Sequence, residues 1–254
     1  GHYAAAADRL QQALPMQQAV RSEHGCVATE NGAGLVYRHL GDLAQARHRL
    51  EGAVERARSI GHRRRLVDAL VGRGLVEMAD GELSAAHRCL TEAVAVARDS
   101  QCQEGLAAGL AALARAERRL VGGVASPGAE PNGDLTSALE HAREAVRVAQ
   151  EIALPVCEVW GEMEIALTWL AQGEPVVALE HSERAVALVT QAHEGWIGTE
   201  EIHRAHARVL YALDRAKAAD EQLRLANGIV EDKAGRISNP RQRQRYLQFH
   251  RLAR

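Results

Sequence analysis

A thirteen-residue phrase recurs along this chain and constrains its fold more than any other feature of the sequence. The four clearest copies are GDLAQARHRLEGA from Gly41, GELSAAHRCLTEA from Gly81, GDLTSALEHAREA from Gly133 and GEPVVALEHSERA from Gly173. If Gly1 and Asp214 take the same role, the spacings between these anchors are 40, 40, 52, 40 and 41 residues. A chain of this kind repeats one structural unit, so the sequence predicts an array.

Two positions of the phrase are alanine in all six units. They lie five residues after the anchor, at Ala6, Ala46, Ala86, Ala138, Ala178 and Ala219, and twelve after it, at Ala13, Ala53, Ala93, Ala145, Ala185 and Ala226. The ninth residue after the anchor is leucine in four units, at Leu10, Leu50, Leu90 and Leu223. These three offsets share one face of an α-helix. We therefore expect a helix whose small residues admit a neighbouring helix and whose leucine fills the space between them.

A second helical stretch precedes each anchor. A small residue stands seven positions before it, as at Gly34 and Gly74, and a bulky apolar residue often stands four before it, as at Trp169. Glycine takes positive φ at little cost, so the anchor can end this first helix and turn the chain into the second. The unit is predicted to be an antiparallel helix pair.

This pattern, ending in G-x-[LY]-x-x-A-x-x-x-L-x-x-A, resembles the tetratricopeptide repeat over almost the whole chain. The resemblance implies an all-α fold, a right-handed α-solenoid of about twelve helices in a TPR-like superhelix. The 40-residue period exceeds the common 34, which indicates long helices. Long repeats of this type are similar to the sensor and scaffold arrays of bacterial transcriptional regulators, to those of signalling ATPases and to those of kinesin light chains.

The domain prediction follows from the register. Residues 1–238 form the array, and the turn-forming stretch 122–133 is a loop inserted between the two helices of the fourth unit. Residues 239–254 form an amphipathic helix that closes the array, with nucleic-acid contact or docking on another domain as alternatives. Because Gly1 sits at an anchor, the first unit lacks its first helix. We therefore expect the apolar face at Leu10 and Leu14 to be covered by further protein or by a second copy of the chain.

Composition and motifs exclude several function classes. The formal net charge is −2, so nothing attracts nucleic acid or an anionic membrane globally, and no apolar run reaches the roughly 18 residues of a membrane span. The four cysteines are spread out, as in a cytoplasmic protein. No catalytic, phosphate-binding or metal-site motif is present, so the sequence predicts a non-enzymatic protein without cofactor or metal. His203 and His206, near Glu200 and Glu201, leave an opportunistic metal site as the alternative.

The tetratricopeptide resemblance implies a concave groove lined by the first helix of each unit, where a protein or peptide segment, or a small effector, would bind. The implied groove residues are Asn31, Leu35, Arg38, Asp68, Val71, Leu75, Met78, Arg115, Arg118, Trp160, Met163, Leu167, Glu201, Arg204, Arg208 and Tyr211.

Two subsets of these residues distinguish the groove from an ordinary surface. Trp160, Met163 and Leu167 would form an exposed apolar patch, unless the helix is rotated by one position and Trp160 belongs to the core. Four of the arginines would present guanidinium groups to carboxylate or phosphate, unless they only form a solvated face; they are Arg115, Arg118, Arg204 and Arg208. We therefore expect an interaction or ligand-sensing domain, part of a larger bacterial signalling or transcriptional regulator. The alternative is a structural scaffold that oligomerises through its ends.

Overall fold

The computed structural model describes residues 2–122, 134–191 and 198–252, which form twelve α-helices and no strand. The all-α prediction is confirmed. The helices are α1 (Tyr3–Ala19), α2 (Glu23–His39), α3 (Leu43–Ser59), α4 (Arg63–Ala79), α5 (Leu83–Asp99), α6 (Gln103–Gly122), α7 (Thr136–Glu151), α8 (Pro155–Ala171), α9 (Pro175–Gln191), α10 (Thr199–Ala212), α11 (Ala216–Gly235) and α12 (Pro240–Leu252).

The chain divides into two compact units. Unit 1 comprises residues 1–105 together with residues 231–254, and unit 2 comprises residues 106–230. Within each unit, helices that follow one another along the chain pack together, as α2 does with α3, α4 with α5 and α8 with α9. The predicted helix pairs are therefore present in both units.

The anchors turn the chain as predicted. Gly41, Gly81 and Gly173 have φ of 74°, 90° and 82°, and Asp214 takes the same left-handed conformation at 58°. A second series of left-handed residues falls about twenty residues away, between successive helix pairs. These are Arg21, Gly61, Gln101 and Ala153, with φ between 51° and 68°. Helices α1 to α5, α7, α8 and α10 are thus each followed by the same tight turn, which reverses the chain.

The repeated small residues lie in the core. Ten of the twelve alanines at the two invariant positions are completely buried, the exceptions being Ala6 and Ala13 of α1. Leu50 and Leu90 are also completely buried. At this close approach an alanine methyl already fills the available volume, so a larger side chain would force the helices apart.

The C-terminal residues form helix α12, which belongs to unit 1. Its N-terminus is capped by Asn239, whose side chain accepts hydrogen bonds from the backbone of Arg241 and Gln242. Tyr246 is completely buried and lies beside Tyr3 of α1, with the ring centroids 6.3 Å apart. Helix α12 therefore packs against the beginning of α1 within the same chain. Leu10 and Leu14, farther along α1, are half-buried.

Two sequence predictions concern other features of the chain. Apart from Gly122, which ends α6, the predicted inserted loop lies outside the described residues. Among the described helices, none has the length and apolar character needed to cross a bilayer.

Candidate functional site

Three helices of unit 2 bring arginines together around one buried carboxylate, that of Glu164 on α8. Arg115 of α6 donates from Nε to Glu164 Oε1 at 2.7 Å. Arg118, one turn further along α6, donates from Nη2 and Nε to Glu164 Oε2 at 2.7 and 3.1 Å. Arg115 also donates from Nη1 to Glu201 Oε2 of α10 at 3.2 Å. We call these four residues together with Arg119 and Arg208 the arginine cluster.

The charges at the base of the arginine cluster stabilise one another. Burial acts to raise the pKa of Glu164, whose side chain is 1% exposed, but Arg118 and Arg115 more than compensate and hold that pKa below its ordinary value. Burial likewise acts to lower the pKa of Arg115, and Glu164 and Glu201 raise it overall. Removal of one partner from such a buried pair leaves an uncompensated charge. Arg115 and Arg118 are thus fixed in position and are not a merely solvated face.

The arginine cluster, as defined, contains four guanidinium groups and two carboxylates. The pKa of Arg119 is lowered by burial and then by Arg115 and Arg118, although Glu164 and Glu201 act in the opposite direction. The pKa of Arg208 on α10 is lowered by desolvation and by Arg118. Both groups stay protonated at neutral pH, since an arginine pKa lies far above 7. An anion placed between α6 and α10 would relieve this repulsion.

The predicted apolar patch on α8 is wrong in its exposure. Met163 is 1% exposed and Leu167 8% exposed, and both belong to a core cluster with Val159 and Ile202. Trp160 is half-buried and packs against the same cluster. The Arg115 guanidinium carbon lies 4.7 Å from the centroid of the Trp160 ring, a cation–π distance. The face of α8 expected in the groove therefore turns into the core, and Trp160 supports Arg115.

The predicted groove residues of α10 are partly buried in the core and partly exposed. Arg204 is only 9% exposed, so its guanidinium is not a surface group as expected. Arg208 and Tyr211 are exposed and stand three residues apart, on one face of the helix. The Tyr211 hydroxyl donates to Asp220 of α11. Of the predicted arginine quartet, Arg208 is therefore the exposed member.

Unit 1 contains the remaining predicted groove residues. Met78 is 2% exposed and belongs to the core, contrary to prediction. Asn31 is 9% exposed, and Asp68 pairs with Arg65 at 3.3 Å while burial raises its pKa. Arg38 donates from Nη2 to Nε2 of His39 at 3.2 Å. Leu35, Val71 and Leu75 are half-buried. These side chains form no charged cluster comparable to that of unit 2.

The histidines singled out in the sequence form pairwise contacts with neighbouring helices. His203 Nδ1 lies 2.7 Å from Gln222 Oε1, and the buried His206 Nδ1 lies 2.9 Å from Ser182 Oγ. His181 bonds Glu162 in the same manner, at 2.7 Å. In the described part of the chain, no three His, Cys, Asp or Glu side chains are grouped so as to hold a metal ion. These histidines join helices to one another.

Two members of the arginine cluster escaped the sequence analysis. Glu164 is an acid within the apolar run EMEIALTWL of α8, and a charge in such a position signals a buried partner. Arg119 follows Arg118 directly, so helical periodicity placed it on another face. The signal for Glu164 was therefore readable, whereas that for Arg119 depended on tertiary structure.

Comparisons with known proteins agree with this architecture. The sequence model described as Tetratricopeptide repeat matches residues 26–99, which span most of α2 to the end of α5. The comparison with curated protein sequences finds no match.

Among solved structures, BtubC (BKLC) from P. vanneervenii is similar with a TM-score of 0.62 and 16% identity, over 94% of this chain and 93% of that one. A Rap protein complexed with competence and sporulation factor is similar with a TM-score of 0.66 and 15% identity, over 99% of this chain and 69% of that one. Nearly identical TPR-like repeats of a Podosopora anserina kinesin light chain are similar with a TM-score of 0.53 and 18% identity, over 80% of this chain and 94% of that one.

The repeat register, the helix pairs and these likenesses agree on one fold, which typically serves interaction and not catalysis. The resemblance read from the sequence is therefore confirmed: residues 26–99 match the tetratricopeptide repeat, and the chain has the fold of a TPR-like array of helix pairs.

Proposed function

We propose that this chain is a non-catalytic protein-interaction module whose arginine cluster binds an acidic segment of a partner protein. The observation that carries the proposal is the convergence of guanidinium groups on α6 and α10, where burial and, to a smaller extent, the neighbouring arginines lower the pKa of both Arg119 and Arg208. A carboxylate-bearing peptide would be attracted to these guanidinium groups. Guanidinium groups suit this role because they bind carboxylates through two parallel hydrogen bonds.

The residues of the cluster would divide the work. Glu164 holds Arg115 and Arg118 in place, so these two provide a fixed positive field at the base of the site. Arg119 and Arg208 are both exposed and would contact the ligand directly. Tyr211, 42% exposed and on the same face of α10 as Arg208, would add apolar contact. No bond is made or broken in this function.

The test uses two fluorescein-labelled dodecapeptides, one of alternating Glu and Leu and one of alternating Lys and Leu. Fluorescence anisotropy should show binding of the acidic peptide and none of the basic one. The double variant Arg119→Gln/Arg208→Gln leaves the pairs of Glu164 intact and should weaken acidic-peptide binding at least tenfold. Binding should also weaken with added salt, since partly exposed charges are screened.

A matched control removes the same amount of charge elsewhere in unit 2. Arg147 and Arg224 are exposed arginines of α7 and α11, 59% and 73% accessible, that pair only with residues three or four positions away. The variant Arg147→Gln/Arg224→Gln should bind the acidic peptide as the unmodified protein does. Equal losses in both double variants would reduce the effect to net charge and refute the site.

The wider setting belongs to the same proposal. We propose that the array is the receiving part of a larger cytoplasmic bacterial regulator, as the resemblance to long-repeat sensor arrays suggests. The structural likeness to a Rap protein complexed with a factor supports a receiving role, because that protein carries its ligand on a similar fold. The flanking regions of the full-length gene test this: an ATPase or DNA-binding region beside the array is expected, and a gene that encodes the array alone would contradict it.

A further inference from the structure

The contact between α12 and the first helices of unit 1 is built around a buried histidine, His39 at the end of α2. Its side chain stacks on Tyr3 of α1, with the ring centroids 5.1 Å apart and the planes inclined by 12°. From α12, Tyr246 lies beside Tyr3, and His250 donates from Nε2 to the backbone carbonyl of His39 at 3.2 Å. His39 is 5% exposed and His250 2% exposed. Docking of α12 therefore encloses the His39 ring.

The hydrogen bonding of His39 requires its neutral form. Arg38 donates from Nη2 to Nε2 of the ring, and a nitrogen that accepts a hydrogen bond cannot carry a proton. By contrast, His250 donates to the carbonyl in either protonation state, so that bond survives acidification. Of the two histidines, His39 is thus the one whose hydrogen bond is lost on protonation.

Burial and the neighbouring basic groups disfavour a positive charge on the His39 ring. Burial holds its pKa well below the ordinary value, and Arg38 of α2, His250 of α12 and Lys233 of α11 each lower it further. On the side of α1, the His39 ring contacts the phenol ring of Tyr3. Asp42, which follows α2, is paired with Arg245 of α12. A proton on His39 would therefore add positive charge beside Arg38 and Lys233 in a buried contact.

We propose that the neutral His39 ring is a latch for α12, and that its protonation loosens the helix from α1 and α2 while the rest of unit 1 stays folded. The direction follows from linkage. A ring released into water recovers a pKa near 6.5, so the docked state binds the proton less well than the released state. Docking is then complete above pH 6.5 and falls by about tenfold per pH unit below it.

The test follows amide hydrogen exchange of α12 in the intact chain at pH 7.5 and pH 5.5, corrected for intrinsic exchange rates. The protection of α12 should fall by about tenfold between these two pH values. Amides in α4, from the core of unit 1, serve as the internal reference and should keep their protection. Equal losses in α12 and α4 would mean that the whole unit unfolds, and constant protection of α12 would mean that no latch exists. Either result overturns the proposal.

Two variants assign the effect to His39. In His39→Gln the amide oxygen can replace Nε2 as acceptor for Arg38 but cannot be protonated, so α12 should keep its protection at pH 5.5. Should this variant prove unfolded, His39→Phe provides a second route: its ring can still stack on Tyr3 but cannot be protonated, so α12 should again keep its protection at pH 5.5. The control is His206→Gln, a buried histidine of unit 2, which should leave the tenfold fall unchanged. A fall that persists in His39→Gln, or vanishes in His206→Gln, refutes the assignment.

Discussion

Leu50 occupies the space that glycine leaves at position 34. A Cβ atom on Gly34 would lie 2.4 Å from Leu50 Cγ, a separation that no real contact reaches. The next helix pair repeats this fit, since a Cβ on Gly74 would lie 2.5 Å from Leu90 Cγ. The glycine of the first helix and the leucine of the second therefore pack as a pair. Because glycine has no side chain, the leucine contacts the backbone of the first helix directly.

Gly34→Ala should destabilise the protein although alanine is the better helix former. The propensity gain of about 1 kcal/mol is outweighed by overpacking against a completely buried leucine, which typically costs about 1–3 kcal/mol. We expect a net loss of up to about 2 kcal/mol in the free energy of unfolding, measured by urea denaturation.

The control for this substitution is Gly228→Ala in α11, where an added Cβ meets nothing within 4 Å. That change should stabilise the protein by up to about 1 kcal/mol. Stabilisation in both variants would show that the Leu50 contact relaxes without cost.

Ala153→Gly should stabilise the protein, or leave its stability unchanged, in the turn that follows α7. Ala153 has a φ of 51°, where its Cβ is crowded by the backbone, and glycine removes that strain at a cost in unfolded-state entropy of similar size. Thermal unfolding of the variant is the measurement.

Ala95→Gly provides the comparison, because Ala95 is an exposed residue in the middle of α5. Here glycine should cost about 1 kcal/mol. If both substitutions destabilise equally, the left-handed conformation at position 153 contributes no strain.

Sequence and structure agree where the physical rule is local. The anchor glycines at 41, 81 and 173 were recognisable because positive φ favours glycine. The alternate turns were not, since Arg21, Gln101 and Ala153 adopt the same conformation without that signature. At these turns the packing of the two flanking helices imposes a positive φ on residues that rarely adopt it.

The candidate site was harder to predict, because it depends on helix rotation. If α8 were rotated about its axis by one residue position, about 100°, Met163 would be exposed instead of buried as observed. Counting residues from the anchor glycine does not fix the helix rotation that closely. The arginines of α6 were found, but their common partner Glu164 lies 46 residues beyond Arg118. Such a contact depends on how α6 and α8 pack, which the repeat pattern does not specify.

Glu164→Gln should destabilise unit 2 strongly. Arg115 and Arg118 would keep their charges in a buried position and lose their shared carboxylate, and breaking a buried pair in this way typically costs about 3–5 kcal/mol. Urea unfolding followed by tryptophan fluorescence reports on this unit, since Trp160, Trp169 and Trp196 all fall within residues 106–230.

The matched control for that substitution is Glu151→Gln, which removes an exposed acid paired with Arg147 on the same helix. Exposed pairs contribute little, so its cost should stay below about 0.5 kcal/mol. A Glu164→Gln variant no less stable than this control would show that water replaces the carboxylate around the arginines.

His206 should make unit 2 sensitive to acid independently of α12. Burial, with a smaller effect of His203, lowers its pKa to about 4, and its side chain is 7% exposed. Ser182 donates its hydroxyl proton to the carbonyl of Leu179, so His206 donates from Nδ1 to Ser182 Oγ, and in the neutral ring Nδ1 carries the proton. Because the unfolded chain binds the proton near pH 6.5 and the folded one does not, stability is complete above pH 6.5 and falls as the pH drops toward 4.

The loss attributable to this histidine should approach roughly 3 kcal/mol at pH 4, from a shift of about 2.5 pK units. His206→Gln retains a side chain that can donate to Ser182 but does not titrate. The measurement is the unfolding free energy of both proteins at pH 7.5 and pH 4.5, read by tryptophan fluorescence, and the difference between them should shrink or reverse at the lower pH. Since Glu164 and the other carboxylates titrate equally in both proteins, parallel losses would exclude His206 as the source and assign the acid sensitivity to those carboxylates.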